Sequence, residues 1–67
     1  MNGYYVIKII DNDTGTQIQK SFAYPWAKCE EVYFLLLQEW REEGYNCYAV
    51  IEEATEKDVI ADENVKP

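Results

Sequence analysis

Residues 25–44, PWAKCEEVYFLLLQEWREEG, predict one long helix. Pro25 breaks the preceding chain and suits the first turn of a helix, where its missing N–H costs nothing. From Trp26 to Glu43 the apolar side chains are Cys29, Val32, Tyr33, Leu36, Leu37 and Trp40. Their spacing of i, i+3, i+4, i+7, i+8 and i+11 is that of a single buried stripe. Glu30 and Glu31 fall in the first turns, where the helix dipole favours negative charge. Gly44 follows directly, placed to end the helix as its C′ residue.

Strands are predicted on both sides of this helix. Tyr4 to Ile10 is aromatic and β-branched, a composition that favours a strand. Asp11-Asn12-Asp13-Thr14-Gly15 then supplies turn formers and a glycine able to take positive φ. Thr16 to Tyr24 alternates, with Ile18, Lys20, Phe22 and Tyr24 on one face and Gln17, Gln19, Ser21 and Ala23 on the other. Together these stretches predict a β-hairpin. Lys8 marks the solvent row of the first strand, so Tyr5, Ile7 and Ile9 face the core. Beyond the helix, Tyr45 to Ile51 forms a third strand, with Cys47, Ala49 and Ile51 on the helix side. Residues 57–62 are read as a short fourth strand. A capping box of Thr55 with Asp58, opening a last helical turn, is the alternative. Residues 62–67 are a frayed acidic tail.

The expected fold is therefore α+β, a two-layer β-β-α-β(-β) mini-domain over residues 1–61. One antiparallel sheet is covered on one face by a single helix. A right-handed crossover from the second strand lays the third beside the first, giving order 2-1-3. At 67 residues there is room for one domain. A chain of roughly 60 residues buries only ~60% of its unfolded surface.

Composition excludes several chemistries. There is no histidine among the 67 residues, which removes the usual neutral-pH general base and the commonest metal ligand. Two cysteines alone make no zinc site, and no Cys-x-x-Cys is present. Three scattered glycines, Gly3, Gly15 and Gly44, form no phosphate-cradling loop. No cofactor, no metal and no catalytic residue is expected, and the protein is read as a non-enzyme. With 13 acidic against 6 basic side chains, a net charge of -7 disfavours direct contact with nucleic acid or with anionic membranes. No leader, lipidation motif or long apolar run stands in the sequence, so a cytoplasmic location is expected.

The cysteines do not suit a disulfide. Counting back from Gly44, Cys29 lies about 21 Å along the helix and Cys47 about 10 Å along the strand. That ~11 Å mismatch exceeds the roughly 4.4–6.8 Å Cα separation a bridge needs. Two buried thiols acting as small hydrophobes are expected.

Three features point to a partner. One helix covers one sheet face, leaving Tyr4, Val6, Tyr48 and Val50 on the other, where order 2-1-3 makes them a contiguous patch. Such a patch is either a dimer or partner surface or a set of exposure-tolerant residues. Phe34 lies about 130° from the centre of the buried stripe, so it is either solvent-exposed or covered by a partner or by a folded-back C-terminal segment. The acidic residues Glu31, Glu39, Glu42 and Glu43, continued by Glu52, Glu53, Glu56, Asp58, Asp62 and Glu63, are either a solvated face or a mimic of nucleic-acid phosphates. The helix, about 27 Å long at ~1.5 Å per residue, spans about eight phosphates per strand at ~3.4 Å each. It carries five glutamates, so mimicry draws on the C-terminal acids too.

The run Arg41-Glu42-Glu43-Gly44-Tyr45 looks like the helix–glycine–strand joint of many tiny domains. In size and acidity the chain is similar in style to phage-encoded inhibitors such as anti-CRISPR proteins. That resemblance implies inhibition by occupying the nucleic-acid site of a host enzyme. The expected activity is thus that of an acidic, non-enzymatic inhibitor and nucleic-acid mimic with a protein partner. A small assembly domain that homodimerises through its sheet face is the alternative.

Overall fold

The computed structural model describes residues 3–59. The central strand is β1 (Tyr4–Asp11). β2 (Gln17–Lys20) and β3 (Tyr24–Pro25) pair in turn along one side of it, and β4 (Cys47–Glu53) along the other, all antiparallel. The helix α1 (Trp26–Glu42) packs against β1 and β4. With β2 and β3 taken as one interrupted strand, this is the expected α+β layout, with the strand after the helix beside the first.

The core sits between sheet and helix. Ile7, Ile9, Cys29, Leu37 and Cys47 are buried there, flanked by Tyr5, Val32, Tyr33, Leu36, Trp40, Ala49 and Ile51. Each fully buried isoleucine contributes about 1.5–3 kcal/mol by leaving water. The predicted helical stripe and the predicted core rows of the first and third strands all reach this layer. Both cysteines are free and buried, and burial pushes the Cys29 thiol above its ordinary pKa.

The helix ends as its sequence requires. Gly44 takes φ +99°, its N–H donates to the Arg41 carbonyl at 3.0 Å, and the Tyr45 N–H donates to the Trp40 carbonyl at 3.1 Å. This pair of bonds is a Schellman motif. Tyr45 therefore belongs to the cap, and β4 starts two residues later than the predicted strand. At the other end Pro25 is the N-cap rather than the first helical residue, and the first turn holds no acid. Glu30 and Glu31 lie one turn too far along to face the dipole's positive end.

Two expectations fail for identifiable reasons. The register between β1 and β2 slips between Ile9 and Ile10, so that Ile9 faces Gln19 while Ile10 faces Gln17. A one-residue bulge of this kind reverses the faces that simple alternation assigns. Gln19 consequently points to the helix and Lys20 to the opposite face. The strand then breaks at Ser21, whose Oγ accepts the Ile7 N–H at 2.9 Å and donates to the Phe22 carbonyl at 2.7 Å. The proposed fourth strand is also absent over its described part, since residues 56–59 are helical. The capping box wins there. Thr55 N–H donates to Asp58 Oδ2 at 2.9 Å, and Asp58 N–H donates to Thr55 Oγ1 at 3.2 Å. Residues 60–61, and the tail expected over 62–67, lie outside the described residues.

Candidate partner interface

The open sheet face is not the patch that the sequence suggested. Val6 lies opposite Glu52, Lys8 opposite Val50, and Ile10 opposite Tyr48. Val6 is buried in a second small cluster with Ala23 and Ala54, against which Val59 packs. The helical turn at residues 56–59 supplies that cover, which the sequence reading had not placed on this face. Two ion pairs also cross it, Lys8–Glu52 and Lys20–Asp58, each at 2.7 Å. With Thr55, the Lys20 ammonium holds the Asp58 carboxyl at about 2, below its ordinary 3.8. Tyr4 is the first residue of β1, opposite Pro25. Tyr48, half-buried Val50 and half-buried Ile10 remain as a narrower apolar strip.

The acidic residues divide into separate places. Glu39, Glu42 and Glu43 line one shallow recess with Trp40 and Gln19, at the C-terminal end of α1. Their spacing of i, i+3 and i+4 puts them on neighbouring turns of one flank. This is the end of the helix where the dipole opposes negative charge, and Arg41 is the basic residue of the last turn. Glu42 accepts a hydrogen bond from Gln38 Nε2 at 3.2 Å. None of the three carboxylates has an ion-pair partner among the described residues. Glu31 stands two turns upstream and faces Lys28 at 3.6 Å. Glu52 is held by Lys8, while Glu53 is exposed at the last position of β4 and Glu56 is exposed in the turn that follows.

Phe34 is 67% exposed, its ring meeting Tyr33 edge-on at 5.3 Å. It lines a second recess with Leu37, Gln38, Arg41 and Glu42. The described C-terminal turn packs on the far side of the sheet and does not cover it. Sequence reading missed Leu35 and Trp26, exposed at 54% and 53%. Leu35 was detectable, because like Phe34 it falls outside the i, i+3, i+4 stripe. Trp26 was not, since its ring meets Tyr5 edge-on at 5.2 Å while most of it stays in solvent.

Among the described residues no group of histidine, cysteine, aspartate and glutamate side chains is placed to hold a metal. No helix there is long and apolar enough to cross a membrane. The chain matches no protein-family model, no curated protein and no solved structure.

Proposed function

We propose that the protein is a non-enzymatic inhibitor that covers a basic, phosphate-handling surface of a nucleic-acid enzyme, as phage and mobile-element inhibitors do. The observation that carries this reading is the group Glu39, Glu42 and Glu43. Three carboxylates are held on one flank, against the local helix dipole and without a cation among the described residues. Such charge costs the isolated fold stability and is repaid when a cationic surface takes it up. Exposed Phe34 and Leu35 on the adjoining flanks provide the apolar contact that long-lived complexes need.

The test is capture of partners from a bacterial lysate, at low and high salt and with competing duplex DNA. The reading expects a bound enzyme that both salt and DNA release. A partner retained in high salt and indifferent to DNA overturns mimicry.

A second reading, homodimerisation through the open sheet face, is supported by Tyr48, which is 44% exposed opposite Ile10. Sedimentation separates the two: a dimer shows an apparent mass that rises with concentration, and Tyr48→Lys abolishes the rise.

A further inference from the structure

We infer that the outer edge of β4, together with the Phe34 flank of α1, is a groove for an extended basic segment of a partner protein, added as a further antiparallel strand. This rests on the reading of the protein as a binder of a basic partner, and names the mode of contact.

The backbone carries the first part. Asn12 N–H donates to the Asn46 carbonyl and Ala54 N–H to the Tyr4 carbonyl. In an antiparallel ladder, bonded and non-bonded pairs alternate. Even-numbered residues of β4 therefore face β1, and the N–H and C=O groups of Ala49, Ile51 and Glu53 point away from it. The Ser21 N–H, donated to the Ile7 carbonyl on the other side of β1, fits the same alternation. Among the described residues β4 pairs with β1 alone, and no other described strand stands beside these outward groups. At the Cys47 end, the outward carbonyl accepts Arg41 Nη2 at 3.2 Å. β4 runs seven residues in unbroken register and contains neither lysine nor proline, the usual protection of a free edge.

The side chains carry the second part. Arg41 both closes the Cys47 end of this edge and lines the recess of Phe34 and Leu37, so recess and edge adjoin. Residues directly opposite in a ladder share a face. Partner residues bonded to Ala49, Ile51 and Glu53 thus turn their side chains towards the helix side, where Phe34 stands exposed. Charge fixes the occupant and its direction. Glu53 and, on the same helical flank one turn before Phe34, Glu30 have no ion-pair partner among the described residues, and Arg41 holds the other end. An antiparallel strand brings its N-terminal end to Glu53. It should begin with basic residues and continue with alternating apolar ones. A second copy of this chain, at net charge -7, brings repulsion instead.

The test uses the full chain, nitrogen-15 labelled, and the blocked peptide KRKVTVTV, with VTVTVKRK as the reversed control. Binding should move the amide signals of Ala49, Ile51 and Glu53 and slow their hydrogen exchange, and the reversed peptide should bind about tenfold more weakly. Ala49→Pro removes an outward N–H without touching the ladder to β1 and should abolish binding. Phe34→Ala, at an exposed site that leaves the fold alone, should weaken it about tenfold. Signals that move at Glu39, Glu42 and Glu43 alone overturn the groove while leaving the acidic-flank reading intact. The absence of any shift overturns the groove, as does a peptide-free dimer protected at the same three amides.

Discussion

Trp40 donates its indole N–H to the Gln19 side-chain oxygen at 2.6 Å, which ties the last turn of the helix to β2. The same ring meets Tyr45 edge-on at 5.1 Å, and the Trp40 carbonyl accepts the Tyr45 N–H. One residue thus joins helix, cap and sheet. Trp40→Ala should destabilise by ~3–5 kcal/mol and Leu37→Ala by ~2–5 kcal/mol, enough to unfold a domain with a small stability margin. Leu36 is only half-buried, so Leu36→Ala should cost less than Leu37→Ala. Urea midpoints would check the order, and equal losses at Leu36 and Leu37 would refute this packing.

Gly44 isolates a purely backbone effect. A Cβ added there meets no atom within 4 Å, yet φ is +99°. Gly44→Ala should therefore cost about 1–2 kcal/mol through the left-handed conformation alone, and Gly44→Asn less, since asparagine tolerates it better. A thermal melt of the two variants would decide this, and an alanine variant as stable as the parent would contradict the cap.

The helix was legible because its signals agree: stripe, proline before it, glycine after it. So were the core rows of β1 and β4, where Lys8 marks the solvent side. The region around Gln17–Ala23 was not. A bulge leaves no mark in an alternating sequence, and it moved Gln19 to the helix face and Lys20 to the other. The C-terminal turn was undecided in the sequence because Val59 satisfies a strand or a helix equally. Its burial against Val6 is a long-range contact that local pattern does not encode. That contact removed Val6 from the surface and narrowed the expected dimer patch. The acidic flank could be read as residues, but only the fold shows which carboxylates share a recess and which are taken by lysines.

Acid should loosen the C-terminal turn. The Asp58 carboxyl titrates at about 2 rather than 3.8, first through its hydrogen bond to Lys20 and then through Thr55. Its folded pKa is depressed, so the contribution is fully present above the unfolded value and is lost as pH falls from about 4 to 2. Asp58→Asn should be less stable than the parent at neutral pH, with the difference closing across that window. Melting temperatures from pH 6 down to 2 would show it. A gap that stays constant to pH 2 would mean that the Lys20 contact contributes nothing.

Charge reversal on the helix decides the proposed function. Changing Glu39 and Glu42 to lysine adds two units of charge at each site, taking the net value from -7 to -3. Both side chains are exposed and neither has a cation partner among the described residues, so the fold should persist. Placing positive charge at the C-terminal end of α1 also favours the dipole, and the variant should melt no lower than the parent. Association with a cationic partner should nevertheless slow steeply, because complementary charge acts mainly on the on-rate. Dissociation should change less, being set by apolar contacts. Rates measured at two salt concentrations give the answer. The parent's on-rate should fall as salt rises, and the variant's should be slow at both. An on-rate unaffected by the double reversal would leave these carboxylates as solvated surface and remove mimicry as the mode of action.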